Sequence, residues 1–181
     1  LRPGLPKALG RRQSLLRPLQ LLTDPSEAEL LEVIDSTYRQ LLNRVPLASE
    51  RLGDAESQLR NGVLTVSDFV GQIATSDLFQ SRLQRMAPLR AASAAYLALL
   101  GRAAQPAEVS RFLSVRACKG QRAALEQILS SVEYANCFGR DIVPYLRGLS
   151  TLQGQPLTTV NRTAQLYGGN AALNPPVGEA I

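Results

Sequence analysis

The sequence predicts an all-α protein, a compact multi-helix domain made of two related helical halves. Apolar residues recur at helical spacing along most of the chain, and no segment convincingly alternates polar and apolar residues. Helix start and stop signals interrupt this pattern, and part of the pattern returns later in the chain. We therefore expect a helical domain at residues 24–148, with an extended N-terminal arm at 1–23 and an extended C-terminal tail at 149–181.

The N-terminal arm, residues 1–23, is basic and rich in proline and glycine. It carries the whole net charge of +5, because the other 15 basic residues balance 15 acidic ones. Such a segment is either a disordered leader or an arm that orders on a partner. Leu1 in place of a methionine fits a piece of a longer chain. The five basic residues of the arm are Arg2, Lys7, Arg11, Arg12 and Arg17.

The first helix is expected to begin at Asp24. Asp24 fits the N-cap, Pro25 the first helical position, and Glu27 completes a capping-box pattern. The apolar stripe that follows ends near Asn43 and consists of Leu30, Ile34, Tyr38, Leu41 and Leu42.

A second helix is predicted from Pro46 to Asn61, closed by the turn at Gly62. Its apolar face is Leu52, Ala55 and Leu59, and its polar face is expected to be solvated. Thr65, with Asp68 three residues on, predicts the start of a third helix, and Ser76 the start of a short fourth segment that extends through Leu83.

The second half of the domain repeats this plan. The segment Tyr38 to Arg44 aligns with Tyr96 to Arg102 at an offset of 58 residues, and Phe79 aligns with Tyr134 at an offset of 55. We infer a deletion of about three residues between the two alignments. Pro88 to Leu100 is an alanine-rich helix suited to close internal packing, and Pro106 to Gly120 bounds the next one.

Several classes of function are disfavoured by the residues present. The chain has no histidine, no glycine-rich phosphate loop before a helix, and two cysteines, Cys118 and Cys137, without metal-site spacing. The carboxylates Glu50, Asp54 and Glu56 are better explained by surface ion pairs than by acid-base chemistry. Confinement of the basic excess to the arm argues against nucleic-acid binding. We expect no enzyme activity, no bound metal and no membrane span.

One set of motifs resembles the linker domain of phycobilisome linker polypeptides, from about Asp24 to Gly148. The motifs occur in the order of that family, although Arg140 stands where an acidic residue is common. They are Asn43-Arg44-Val45-Pro46, Glu50-Arg51-Leu52, Ala55 to Gly62, Asp68-Phe69-Val70, Ser76-Asp77-Leu78-Phe79, Leu99-Leu100-Gly101-Arg102, Glu133-Tyr134, Phe138-Gly139-Arg140-Asp141 and Val143 to Gly148.

The resemblance implies a non-enzymatic linker that fills the central cavity of phycobiliprotein α/β rings, of phycocyanin or allophycocyanin, and contacts other linkers. It implies a location on the cytoplasmic face of the thylakoid membrane, with membrane association only through the antenna. Bilins of the phycocyanobilin type would belong to the partner subunits, with none bound covalently here. The alternative is a generic helical protein-interaction module in another assembly.

Residues of the polar helix face and arginines elsewhere are the candidate ring contacts, because arginine pairs well with carboxylates at an interface. Each arginine could instead serve an internal ion pair or a helix C-terminus. Phe79 and Tyr145 could lie in the core or near a partner's bilin. The candidate contacts are Arg51, Gln58, Arg60, Asn61, Arg82, Arg90, Arg102, Arg140 and Arg147. The aromatic residues assigned to the core are Tyr38, Phe69, Tyr96, Phe112, Tyr134 and Phe138.

Overall fold

The computed structural model describes residues 18–22 and 25–147. Eight α-helices account for most of these residues, and an isolated bridge between Gln20 and Ile142 is the β-structure in the two described ranges. The prediction of an all-α domain is confirmed. The helices are α1 (Glu27–Leu42), α2 (Gly53–Arg60), α3 (Val66–Thr75), α4 (Asp77–Gln84), α5 (Pro88–Leu100), α6 (Pro106–Lys119), α7 (Gln121–Leu129) and α8 (Val132–Phe138), with a 3-10 turn at Ala48–Glu50.

Helix α1 begins later than the sequence predicted. Its N-cap is Ser26, not Asp24. The Ser26 hydroxyl accepts from the backbone N–H of Glu29, and the Glu29 carboxylate accepts from the backbone N–H of Ser26 at 2.8 Å. This reciprocal capping box satisfies two backbone donors at the first turn, and it holds the pKa of Glu29 below its usual range.

The predicted second helix, Pro46 to Asn61, is wrong as a continuous element. The 3-10 turn Ala48–Glu50 and helix α2 are separated by Arg51 and Leu52, which lie outside the helical conformation. Two contacts stabilise the non-helical conformation of Arg51 and Leu52. The Leu52 N–H donates to the Tyr38 hydroxyl at 2.9 Å, and Arg51 reaches Asp35 on α1 at 3.0 Å.

The other predicted helix starts are confirmed. Thr65 caps α3 and forms a capping box with Asp68, and Ser76 caps α4. Pro88 and Pro106 occupy the first turns of α5 and α6. In each case the residue that the sequence offered could satisfy, or dispense with, a backbone donor at the helix end.

The internal repeat is visible in the helix ends. Asn43 and Gly101, 58 positions apart, both end their helices in the left-handed conformation, with φ of 61° and 66°. Ser76 and Ser131, 55 positions apart, cap α4 and α8. Equivalent helices also pack on each other, α1 on α5 and α3 on α7. At the first of these interfaces Gln40 Nε2 donates to the carbonyl of Ala98, its own counterpart, at 3.1 Å.

The core lies between these paired helices. The six aromatic residues assigned to the core are all buried, as predicted. Ala91, Ala92 and Ala95 of α5 are fully enclosed, which allows α5 to contact five other helices closely. Tyr38 and Phe69 meet edge to face at 5.6 Å in the first half, and Tyr134 and Phe138 at 5.3 Å in the second.

The two ends of the described chain meet at one edge of the domain. The Val143 N–H donates to the Leu19 carbonyl at 2.9 Å, and the Leu21 N–H donates to the Asp141 carbonyl at 2.8 Å. The Arg147 N–H donates to the Gly101 carbonyl at 2.9 Å. The predicted character of residues 1–17 and of the tail 149–181 concerns segments outside the described residues.

Candidate protein-binding surface

An ion-pair cluster, called here the first-half cluster, joins α1 to α2. It consists of Asp35, Tyr38, Arg51, Glu56 and Arg60. Arg51 donates to Glu56 at 2.7 Å and to Asp35 at 3.0 Å, and its guanidinium lies 5.3 Å from the centre of the Tyr38 ring. Arg51 therefore pairs within the domain, with α1 through Asp35 and with α2 through Glu56.

Glu56 is the buried centre of this cluster, with 5% of its surface exposed. The expectation that it forms only surface ion pairs is wrong, because the carboxylate accepts from both Arg51 and the Tyr38 hydroxyl. Arg60 lies 3.8 Å from it and 3.3 Å from Glu27. Burial, opposed by the hydrogen bond from the Leu52 N–H, raises the pKa of Tyr38 to about 12.

A second-half cluster joins α5, α6, α8 and residues 143–147, which are called here the C-terminal segment. It consists of Tyr96, Arg102, Glu108, Glu133 and Arg147. Arg102 Nη2 lies 2.6 Å from Glu108 and 2.5 Å from Glu133, and only 18% of its side chain is exposed. Arg147 pairs with Glu133 and donates to the Leu100 carbonyl at 2.8 Å.

The ion pairs of this cluster favour the charged carboxylates. The hydrogen bonds from Arg102, against the effect of burial, lower the pKa of Glu133 to about 2, and they also lower that of Glu108. The pKa of Arg102 is raised for the same reason. Glu108 and Glu133 are therefore ionised at neutral pH, and the pair between Glu133 and Arg147 helps to fix the C-terminal segment over the end of α5.

The remaining candidate contacts have different surroundings. Arg82 donates to the Leu41 carbonyl at 2.5 Å, and burial lowers its pKa. Gln58, Asn61, Arg90 and Arg140 are exposed. Among the residues that the structure describes, no carboxylate lies within salt-bridge distance of Arg90 or Arg140. The candidate list thus separates into arginines engaged internally and polar residues available at the surface.

Phe79 and Tyr145, for which the sequence allowed either the core or a place near a partner's bilin, differ in burial. Phe79 is buried, with 1% exposure, and belongs to the core. Tyr145 is half-buried and meets Phe138 edge to face at 5.7 Å. Proximity to a partner's bilin stays a prediction for Tyr145.

The sequence reasoning did not single out Asp35, Glu108 or Glu133 as ion-pair partners. A signal for Glu108 was present, because Arg102 precedes it by six residues, the same interval that separates Arg44 from Glu50 in the first half. Both pairs are formed, at 2.7 and 2.6 Å. A spacing shared by two related halves indicates a contact within each half rather than an external one.

Residues 25–147 carry a net charge of only +1, which is distributed unevenly between the two halves. Residues 25–87 contain six basic and nine acidic residues, a net charge of −3. Residues 88–147 contain eight basic and four acidic residues, a net charge of +4. Two halves of similar shape therefore present opposite charge, which matters for any asymmetric contact with a partner.

No other kind of site is evident over residues 18–22 and 25–147. Groups of three or more histidine, cysteine or acidic residues placed to hold a metal do not occur there. Cys118 is exposed and Cys137 is half-buried, and both are free thiols. None of the helices in these ranges combines the length and apolar character needed to span a membrane.

Comparison with known proteins gives consistent results. The family profile of the Phycobilisome Linker polypeptide matches residues 25–147. The 32.1 kDa phycocyanin-associated rod linker of Mastigocladus laminosus is 40% identical over 156 residues, 84% of this chain and 54% of the relative. The 27.9 kDa phycoerythrin-associated rod linker of Microchaete diplosiphon is 36% identical over 90% of this chain and 66% of the relative.

A relative of different size is also similar. The phycobiliprotein ApcE of Nostoc sp. is 35% identical over 86% of this chain but only 14% of its own length. The chain spans about half the length of several curated rod linkers that it matches. The profile match covers the whole of the helical domain, and its residues are those that build the two clusters and the repeated helix ends. The chain belongs to the phycobilisome linker polypeptide family.

Proposed function

We propose that this chain is a non-enzymatic linker that fills the central cavity of phycobiliprotein rings and joins rings within the phycobilisome. The observation that carries the proposal is the family match over the entire helical domain, residues 25–147. Similar proteins are named as phycocyanin-associated and phycoerythrin-associated rod linkers. The proposed location is the cytoplasmic face of the thylakoid membrane, reached through the antenna.

The arrangement of charge supports a role inside a symmetric ring. Identical ring subunits around this domain would meet a half of net charge −3 on one side and a half of net charge +4 on the other. Bilins bound to chemically identical subunits would then experience different fields and absorb at different wavelengths. We propose that this asymmetry directs energy transfer, with the bilins held by the partner subunits.

The exposed members of the candidate list are the proposed direct ring contacts. These are Gln58, Arg60, Asn61, Arg90 and Arg140. Arg51, Arg82, Arg102 and Arg147 are engaged within the domain, and we propose that they contribute chiefly by fixing its shape.

The test is to mix the chain with bilin-loaded phycocyanin and, separately, with allophycocyanin. Ring assembly is followed by sedimentation and bilin emission by fluorescence. Co-sedimentation with a spectral shift for one pigment protein is the expected result, and it would also name the ring. Absence of a complex with either protein, at low and moderate salt, would contradict the proposal and favour a generic helical interaction module.

A further inference from the structure

Four exposed basic residues lie at the ends of helices α4 to α7, and one of them, Arg122, has an acidic partner among the described residues. Arg85 follows α4, Arg90 lies in the first turn of α5, and Lys119 and Arg122 flank the turn between α6 and α7. All four are exposed. These residues, Arg85, Arg90, Lys119 and Arg122, are called here the basic end.

The connectivity places these residues together. Helix α5 follows α4 after residues 85–87, and α7 follows α6 after Gly120, so the end of α4 adjoins the start of α5 and the end of α6 adjoins the start of α7. Gln121, the first residue of α7, donates through Nε2 to the Gln80 carbonyl of α4 at 2.9 Å. The ends of α4 and α6 and the starts of α5 and α7 therefore share one end of the domain.

Helix electrostatics explain only part of the basic end. A cation at the end of a helix, such as Lys119 on α6, is favoured by the helix dipole. Arg90 and Arg122 stand in first turns, where the dipole disfavours a cation, and neither first turn contains an acidic residue. By contrast, every helix of the first half has an acidic residue in its first turn.

The pairing of the basic end within the domain is weak. Arg122 is paired with Glu126 at 2.9 Å, but both side chains are more than half exposed, which makes such a pair worth little. Within the part of the chain that the structure describes, none of the salt bridges within 4.0 Å involves Arg85, Arg90 or Lys119. Their charge is therefore available to another molecule.

An apolar segment lies between two of these charges. Ala87, Pro88 and Leu89 are exposed between Arg85 and Arg90, and the relative accessibility of Leu89 is 65%. An apolar centre bordered by arginine is typical of protein interfaces. The repeat supplies a contrast, because the counterpart of Leu89-Arg90 at an offset of 58 is the exposed pair Leu31-Glu32, with the opposite charge.

We propose that the basic end, with Leu89 at its centre, docks onto an acidic, carboxylate-bearing surface of the phycobiliprotein partner. This inference rests on the proposed function and adds which end of the domain makes the contact. Carboxylates of the partner would pair with the arginine forks, and Leu89 would be covered by apolar partner atoms. The equivalent place of the first half, with the acidic Glu32, would not take part in this contact.

The test compares two double charge reversals in the full chain with bilin-loaded phycocyanin and allophycocyanin, by sedimentation velocity. Arg85→Glu with Arg90→Glu removes charge from the basic end, and Arg39→Glu with Arg111→Glu makes the same charge change elsewhere. We expect the first pair to weaken binding about tenfold and to reduce its salt dependence, and the second to change it less than about twofold. Equal effects of the two pairs, or no effect of the first, would overturn the inference.

Two further measurements distinguish docking through the basic end from membrane binding and from a failure of the proposed function. Failure of the unmodified chain to bind either pigment protein would contradict the proposed function itself. Loss of binding to phosphatidylglycerol vesicles by Arg85→Glu with Arg90→Glu, while pigment-protein binding is retained, would assign the surface to a membrane instead and overturn the inference. Circular dichroism checks that each variant is folded. Arg90→Glu should maintain or raise Tm, because it places an anion in the first turn of α5.

If the double reversal does not fold, the milder Arg85→Gln with Arg90→Gln replaces it. It should weaken pigment-protein binding about threefold, against Arg39→Gln with Arg111→Gln as control. Unchanged binding of this folded variant would overturn the inference equally.

Discussion

The two ion-pair clusters occupy corresponding halves of one repeat but are built in opposite ways. The first-half cluster surrounds a buried carboxylate, Glu56, with donors from Arg51 and the Tyr38 hydroxyl. The second-half cluster surrounds an arginine, Arg102, with acceptors from Glu108 and Glu133. In both, the guanidinium lies over a tyrosine ring, that of Tyr38 or Tyr96.

The two clusters also differ in which elements of the domain they connect. The first-half cluster connects α1 to α2, which are neighbours in the chain. The second-half cluster connects the start of α6 to α8 and to Arg147, 45 residues beyond Arg102 in sequence. In the first half, the arginine over the tyrosine ring fixes the turn between two neighbouring helices. In the second half, it belongs to a cluster that attaches α8 and the C-terminal segment to the start of α6.

The largest expected effect of a single substitution is at the helix end that the second-half cluster covers. An added Cβ at Gly101 would lie 1.8 Å from the Tyr145 carbonyl oxygen, and φ is +66°. Gly101→Ala should lower the free energy of unfolding by about 3 kcal/mol or more. The measurement is urea unfolding followed by circular dichroism.

The control for Gly101→Ala is Asn43→Gly at the equivalent position of the first half. Asn43 is also left-handed, with φ of 61°, so glycine fits its backbone, and stability should change by less than about 1 kcal/mol. A loss for Asn43→Gly as large as that for Gly101→Ala would contradict the assignment of the larger effect to the contact between Gly101 and the C-terminal segment.

Arg102 is expected to matter more than its counterpart Arg44. Arg102→Met leaves Glu108 and Glu133 without their shared partner and should cost about 2 kcal/mol of unfolding free energy. Arg44→Met breaks a single pair with Glu50, in which 47% of the arginine side chain is exposed, and should change stability little. If both variants unfold at the same urea concentration, the second-half cluster stabilises the domain no more than the pair of Arg44 with Glu50 does.

The tyrosine hydroxyls provide a smaller contrast. Tyr38→Phe removes the acceptor of the Leu52 N–H and one donor to Glu56, and should cost about 1 to 2 kcal/mol. Tyr96→Phe removes no side-chain hydrogen bond found among the described residues and should cost less. A pair of thermal unfolding curves decides this, and a larger loss for Tyr96→Phe would reverse the assignment.

Acid should destabilise the second-half cluster as its carboxylates gain protons. The pKa of Glu133 is about 2 in the fold and about 4.3 in an unfolded chain, so the unfolded state binds more protons between these values. The stabilisation is therefore complete above about pH 4.3 and is lost as pH falls towards 2. The Glu133→Gln variant should show a shallower fall in the free energy of unfolding across this interval.

Glu50 provides the comparison for this acid effect. Its pKa is also about 2, held down by Arg44 and by the Leu47 N–H, but its pair with Arg44 is exposed to solvent. Glu50→Gln should therefore flatten the acid slope less, and the difference should be clearest at moderate salt, where exposed pairs are screened. Identical slopes for the two variants would contradict the contrast between the halves.

Helix ends were the most predictable part of the fold from sequence. Thr65, Ser76, Pro88 and Pro106 each satisfy or remove a backbone donor within a few residues, so local chemistry determines the boundary. At α1 two patterns overlap, one from Asp24 to Glu27 and one from Ser26 to Glu29. Both meet the capping-box rule, and sequence gives no reason to prefer the second.

The break before α2 and the burial of Glu56 could not be predicted locally. Both depend on Tyr38, which lies 14 residues before Leu52 and 18 before Glu56. A polar helix face that carries arginine and glutamate predicts exposure to solvent. Only the position of the neighbouring helix α1 shows that Glu56 is buried. For the candidate contacts, residue type identified arginines suited to carboxylates, but only the fold distinguishes those already paired from those such as Arg90 that are exposed.

The antiparallel bridge between residues 18–22 and 141–143 has a mechanical consequence. Leu19 pairs with Val143 and Leu21 with Asp141, so the chain before residue 18 and the chain after residue 143 leave the ribbon at the same end. Tension drawn from residue 18 would open these hydrogen bonds one after another, as in unzipping, and not in parallel shear, so the bridge would yield at low force. Tension drawn from the C-terminal side would first load the attachments of Arg147 to Gly101, Leu100 and Glu133, which would shield residues 141–143.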